Sequence, residues 1–354
     1  MIPETVPVRA GTGGALRSSF LIIATVASLV TVAMFVSPPA RALVTRLGTS
    51  WVAPQATGAV VDRAMEARAA TGLAESLRGR ITWSSNRSGN HELYMLRLPS
   101  AEVVQLTDHA HVDFGARFSP DGTSLVFMRS RREWVSFREP DGWDVMLLDL
   151  ATGQERRLIR RGHHPTWGRD GGSVVFIRGK QVLESVLATG EEKVLFDSEL
   201  VADGREIGDA ELHPDGSQLA LAVSRYGAIV LPPSAAEFVR LTQRHVCQTT
   251  WVPDSNDLLW MQSEGNGGTR VMRGAADGSR AEIFMDLPGD RSHEYFPKLA
   301  KGGAWLVWGA AAEGHEHDRA DYEIYAWRVG QAWETAVRLT YFAGNDQWPD
   351  IYVD

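Results

Sequence analysis

Two hydrophobic patterns divide the chain near residue 80. Before it lies one unbroken apolar run, Phe20 to Val36 (FLIIATVASLVTVAMFV), with no charged residue. After it, apolar residues come in short runs, alternating or continuous, separated by Gly, Asp, Asn and Pro. Short runs bounded by turn residues predict strands rather than helices.

The strand region repeats. A tight-turn signature begins at Ser119, Gly168, His213, Val252 and Ala300, so successive turns lie 49, 45, 39 and 48 residues apart. Its fullest form is Ser119-Pro120-Asp121-Gly122. Pro presets φ, Asp caps the turn and Gly accepts a positive φ. An apolar or aromatic residue precedes each turn (Phe118, Trp167, Leu212, Trp251, Leu299), and a strand run follows it: SLVFM, SVVFI, QLALAV, DLLWM, AWLVW. A period near 45 residues with several short strands per unit predicts propeller blades. Five turns mark five blades. Strands at 81–85, 92–98 and 102–107 precede the first turn without an inner strand, and 348–353 is an inner strand without followers. Joined, they make a sixth blade and remove the free edges that invite aggregation. The fold class is therefore all-β, a six-bladed propeller over 80–354 closed by three N-terminal strands and one C-terminal strand.

The units Glu92-Leu93-Tyr94, Gln105-Leu106-Thr107-Asp108 and Arg117-Phe118-Ser119-Pro120-Asp121-Gly122 resemble the TolB-type (WD40-like) propeller repeat. Tyr322-Glu323-Ile324-Tyr325 and Arg338-Leu339-Thr340 look like the same parts in the fifth blade. The resemblance implies a six-bladed propeller. For function it implies little, since such propellers serve as periplasmic interaction modules, as gates on peptidases and in a few cases as enzymes. The protein departs from the periplasmic Tol component in its apolar N-terminal run and in leaving no room within residues 1–79 for a separate α/β domain.

With its flanking serines that run is about 20 residues, the length of a membrane-crossing helix. Arg9 and Arg17 precede it and Arg41 and Arg46 follow, so charge gives little orientation. An uncleaved signal anchor at 19–37 behind a cytoplasmic tail at 1–18 fits the length. A signal peptide cleaved after Ala42, at Ala40-Arg41-Ala42, is the alternative. Residues 38–79 read as a linker and helical stalk, with Val60, Val61, Ala64, Met65 and Leu77 near helical spacing; a helix packed under the domain is the other reading.

Composition narrows the function. A formal net charge of −8 argues against binding nucleic acid by bulk electrostatics. The single cysteine, Cys247, excludes an internal disulfide framework and multi-thiolate zinc, and leaves no N-terminal cysteine for a lipid. With His245 it forms a conceivable nucleophile–base pair, against the reading of a lone buried thiol. No Gly-x-Ser-x-Gly elbow is present, and Gly265-Asn266-Gly267-Gly268 reads as a hairpin turn.

Aligning the blades on their turns places Asp113, His163, His164, Asp209, Gln248, Glu294 and Asp346 at one channel mouth. Several carboxylates with a histidine favour a cation or a basic peptide segment there; loop residues hydrating a channel are the plain alternative. An insertion over 313–321 offers His315, His317, Asp318 and Asp321 as ligands for a divalent cation, or is a solvated loop. No motif requires a cofactor. A second insertion, Arg129 to Trp143, interleaves Arg with Trp134 and Phe137, as an interface hot spot does, or folds back on its own blade. The expected function is a non-enzymatic module, membrane-anchored outside the cytoplasm, that binds a protein or peptide partner of the cell envelope. The alternatives are a lyase- or hydrolase-like propeller enzyme using His164, His293 and nearby carboxylates, with or without a metal, and a structural repeat protein with no ligand.

Overall fold

The computed structural model describes residues 60–312, 314 and 316–354. The tail at 1–18, the apolar segment at 19–37, the cleavage site at Ala42 and the linker as far as residue 59 lie outside the described residues, as does His315. Among the described residues no helix is long and apolar enough to cross a membrane.

Six sheets of four antiparallel strands form the propeller. The closing blade takes β1 (Gly79–Ser85), β2 (Glu92–Leu98) and β3 (Glu102–Gln105) from the front of the domain. Blade one follows as β4 (Asp113–Phe118), β5 (Ser124–Ser130), β6 (Trp143–Asp149) and β7 (Glu155–Ile159). Blade two is β8 (His163–Trp167), β9 (Ser173–Arg178), β10 (Gln181–Val186) and β11 (Glu192–Asp197). Blade three is β12 (Ile207–Leu212), β13 (Leu219–Val223), β14 (Gly227–Leu231) and β15 (Val239–Arg240). Blade four is β16 (Val246–Trp251), β17 (Asp257–Gln262), β18 (Arg270–Ala275) and β19 (Ala281–Met285). Blade five is β20 (His293–Leu299), β21 (Trp305–Ala311), β22 (Tyr322–Arg328) and β23 (Val337–Arg338). The last strand, β24 (Asp346–Val353), returns to pair antiparallel with β1 from Gly79↔Val353 to Ser85↔Asp346. The expected closure is the observed one.

The repeat motifs each have a physical job. In the Pro-Asp-Gly turn of blade one, Asp121 Oδ1 accepts from Ser119 Oγ at 2.6 Å and from Thr123 N at 3.0 Å. Gly122 adopts φ +70°, and a Cβ there would lie 2.5 Å from the Tyr352 ring, so any other residue would have to displace that side chain and hold a left-handed backbone. The Glu-Leu-Tyr and Leu-Thr units lock the second and third strands of the closing blade. Thr107 Oγ1 donates to Glu92 Oε2 at 2.6 Å and accepts from Leu93 N at 2.9 Å, while His109 N donates to Glu92 Oε1 at 2.7 Å. Glu323 and Thr340 repeat this lock in blade five, where Thr340 Oγ1 and Phe342 N donate to the carboxylate. Burial pushes both Glu92 and Glu323 up to about 7.

Before β1 stands helix α1 (Arg63–Leu73), N-capped by Asp62, which accepts from Met65 N at 3.0 Å. It is not a free stalk. Ala70 and Leu73, with Leu77 just beyond, enter a core with Ile81, Trp83, Ile324, Leu339 and Ile351, and so span blade five and the closing blade. Glu66 is buried beneath the helix, where Arg87 meets it through two 3.1 Å hydrogen bonds. The same guanidinium donates at 2.7 Å to Asp346 on β24, and Tyr341 N donates at 3.1 Å to Glu66. One cation therefore holds the helix and the closing strand together. Removing it leaves two buried carboxylates uncompensated, and Arg87→Met is expected to cost about 3–5 kcal/mol, read from urea denaturation. A loss under about 1 kcal/mol would show that the link contributes no more than a surface pair.

Candidate functional site

Each inner strand borders the channel, so its channel-side N–H and C=O groups have no strand partner. Four inner strands carry a bulge at the same place, with Gly115, His164, Phe296 and Trp348 at φ of 64°, 50°, 57° and 59°. Proline follows three of them (Pro165, Pro297, Pro349), a residue with no N–H to leave unpaired. The bulges gather side chains at the narrow end of the channel. Phe296 and Trp348 rings lie 3.9 Å apart there, and the His164 ring lies 5.8 Å from Trp348.

The seven residues expected at this mouth do not converge. Asp113 is buried against Arg129, which reaches it at 2.8 and 2.6 Å. Burial pushes Asp113 up to about 6, and Arg129 limits the rise. Asp346 is committed to Arg87. Glu294 accepts from Leu287 N at 2.7 Å, and burial pushes it up to about 8. His163 is held neutral by burial, at about 3. None of these four lines the channel cavities. His164 and Asp209 line the narrow cavity, the buried Gln248 does not, and all three bridge neighbouring blades. His164 Nδ1 lies 3.3 Å from Asp209, Asp209 accepts from Thr249 N at 2.9 Å, and Gln248 Oε1 accepts from Phe296 N at 2.7 Å. Burial raises the Asp209 carboxyl, but its bond to His164, the charge of Lys298 and the Thr249 N–H together hold it below the ordinary value.

A lid covers this end. The insertion after β5 packs Val135 on its own blade and also crosses to the insertion after β21. Ser136 Oγ and Phe137 N donate to Asp318 at 2.6 and 3.1 Å, and Arg138 pairs with Glu316 at 2.7 Å. The Phe137 ring sits 4.5 Å from Trp348, 5.1 Å from His164 and 5.4 Å from His317. These contacts divide the expected metal ligands. His317 packs among aromatic rings, Asp318 serves the lid, and Asp321 accepts from Arg291 at 2.9 Å. Among the described residues no group of three or more His, Cys, Asp or Glu is placed to hold a metal ion. Burial pushes Cys247 up to about 11, so its thiol stays protonated at neutral pH although His245 Nδ1 lies 3.6 Å away.

The channel opens at the other end, where the inner strands run out into the tight turns. There a funnel of about 410 Å³ takes one polar residue from every blade at its floor: Arg117, Thr166, Glu211, Thr250, Lys298 and Asp350. Phe118, Trp167, Trp251 and Tyr352 surround the floor, and Arg169, Lys301 and Asp254 stand on the rim. Below the floor the channel narrows to a cavity of about 10 Å³ beside His164, Asp209 and Trp348. Floor and wall are cross-linked around the ring. Asp350 accepts from Phe118 N at 2.8 Å, Trp167 Nε1 donates to Arg117 O at 2.9 Å, and Trp251 Nε1 donates to Glu211 O at 3.0 Å. Glu211 is paired with Lys298 and accepts from Thr250 Oγ1 at 3.1 Å. The sequence carries a sign of this funnel: the residue before each apolar pre-turn position is polar in every blade.

Glu294 gives a test of the buried layer. Its folded-state value of about 8 exceeds the 4.5 of an exposed glutamate. Between those two pH values the folded protein keeps a proton that the unfolded one has released, so this group makes stability fall as pH rises. Glu294→Gln is expected to flatten the fall in urea midpoint between pH 5 and pH 8. Parallel curves for the variant and the parent would place an ionised glutamate there instead.

No family model matches the sequence. Curated relatives do. A protein named TolB homolog from Chlorobium chlorochromatii is 27% identical over 161 residues, covering 44% of this chain and 33% of that protein. A second, from Chlorobaculum tepidum, is 29% identical over 114 residues, covering 30% and 24%. The chain thus spans a third or less of the length of these relatives. Among solved structures, TolB from Acinetobacter baumannii superposes with a TM-score of 0.57 at 16% identity, over 77% of this chain and 66% of that one. The structure of putative TolB from Agrobacterium tumefaciens gives 0.55 at 14%, over 76% and 91%. These superpositions show the fold: the protein is a six-bladed β-propeller, similar in its repeats and its fold to proteins named TolB.

Proposed function

We propose that the protein is an interaction module of the cell envelope, displayed outside the cytoplasm, whose funnel receives an extended segment of a protein partner. The observation that carries this reading is the funnel itself. It is open at one mouth, lidded at the other, walled by aromatics and floored by one polar side chain from each of six blades. Aromatic walls with a few converging polar groups are the usual makeup of a binding site. The apolar segment at 19–37 supplies the anchor, residues 1–18 the cytoplasmic tail, and 38–79 the connection to the propeller at 80–354. The relatives named TolB homologs support an envelope location.

A nucleophile is not part of this reading. The one thiol is protonated, and the histidine nearest the channel is engaged with Asp209.

Photo-crosslinking tests the site. A benzoylphenylalanine placed at Arg169 or Lys301, on the rim, is expected to trap a defined protein adduct in intact cells. The same group at Arg132, on the lid, should trap none. Adducts from the lid alone would overturn the funnel as the binding site. A periplasmic-activity reporter fused after Asp354 tests the location, and activity only in the cytoplasm would overturn it.

A further inference from the structure

The funnel's charges are not equally occupied. Three carboxylates line it, and two are already committed within the protein. Asp350 is buried and accepts from Phe118 N. Glu211 is paired with Lys298 and accepts from Thr250 Oγ1 and Trp251 N. The third, Asp254, stands exposed on the rim. Of the four cations, only Lys298 has a carboxylate partner. Arg117, Arg169 and Lys301 have none within ion-pair distance among the described residues. Three cations without a carboxylate partner stand against two carboxylates without a cation partner, Asp254 and the N–H-bonded Asp350, so the funnel keeps a small positive excess on a protein whose formal charge is −8.

Arg117 is the informative one. It is half-buried at the floor, where a cation gives up much of its water. Its Nη1 donates only to backbone carbonyls, Ala116 O at 3.1 Å and Pro349 O at 3.4 Å. Its Nε and Nη2 meet no protein acceptor and are not sealed from the cavity. That edge is the flat pair of donors that fits a carboxylate through two parallel hydrogen bonds. Two more donors beside the narrow cavity are buried without an acceptor, the Thr166 hydroxyl and the Trp348 indole N–H. Burial raises the Asp350 carboxyl and the charge of Arg117 moderates that rise, but the two do not close to an ion pair.

Resting on the funnel being the binding site, we propose that its guest is anionic: a carboxylate at the tip of the bound segment docks on the free edge of Arg117, with Arg169 and Lys301 steering it from the rim. The cation or basic segment that the sequence favoured concerned the opposite mouth, where the carboxylates behind that expectation are buried in the blades or bonded to backbone N–H groups. The carboxylate comes from an acidic residue or from the C-terminal end of a polypeptide.

The probes are fluorescein-labelled Gly-Gly-Xaa-Gly-Gly peptides, with Xaa as Glu, Gln or Lys, each with a free or an amidated C-terminus. They are titrated to millimolar concentration against the full-length protein in detergent micelles and followed by anisotropy. Amidated Glu peptide binding about ten-fold tighter than its Gln counterpart assigns the guest to an acidic residue. Free acids binding about ten-fold tighter than amides, whatever Xaa is, assign it to a C-terminus. In either case R117Q is expected to abolish the preference, and R117K to keep part of it should R117Q fail to fold. The preference should also weaken between 50 mM and 500 mM salt, since the rim charges are exposed and screened. Six peptides binding alike, none binding, Lys binding tightest, or a preference untouched in R117Q and R117K would each overturn the inference. Alike binding leaves the funnel reading standing, whereas crosslinks confined to the lid overturn that reading on their own.

Discussion

The backbone of the inner strands has to be satisfied on the side where no strand can pair with it. The two middle strands of each blade find their hydrogen bonds in the sheet and the outermost edge faces away from the channel, but β4, β8, β12, β16, β20 and β24 face the channel. Side chains complete them. Asp350 takes the N–H of Phe118, Asp209 that of Thr249, Glu211 that of Trp251 and Gln248 that of Phe296. Each of these bonds reaches from one blade to the next. The bonds that satisfy edge backbone therefore also tie neighbouring blades at three of the six junctions, beside the apolar packing between blades.

This explains what was and was not legible in the sequence. The turns, the strands after them and the shared sixth blade could all be read, because each depends on local chemistry: a proline φ, an Asx turn, a glycine where Tyr352 leaves no space for a Cβ. The paired motifs ending in Thr107 and Thr340 were visible as repeats before the hydrogen bonds that make them useful. The site was not legible in the same way. Alignment on the turns put Asp113, His164, Asp209 and Glu294 in one group, yet the bulges at Gly115, His164 and Phe296 break the two-residue alternation that would tell channel from blade. One position's shift sends a carboxylate into a buried ion pair or into the channel. Pairing of Asp318 with Ser136, 182 residues apart, leaves no local trace at all.

Buried charge is distributed by the same logic. The carboxylates in the blades are matched to donors within reach, Asp113 to Arg129, Asp346 to Arg87 and Glu323 to Arg338. Such pairs add little net stability over apolar packing, but losing one partner is costly, so they fix the arrangement of the elements that carry them. Arg117 stands outside this pattern. Its surroundings supply backbone oxygens and a carboxyl beyond bonding reach, which is an arrangement for a cation whose counter-charge arrives from elsewhere.

The lid has a topological consequence. A propeller open at both mouths is a ring, and a polypeptide passed through a ring is free to slide along it. Here Phe137, His317 and Trp348 close one mouth, with the two insertions tied above them. What enters must leave by the way it came. For the proposed site, a closed mouth fits a guest that enters by a terminus or the tip of a bend, and not one threaded through the ring. Release needs only withdrawal, with no free end to be found on the far side.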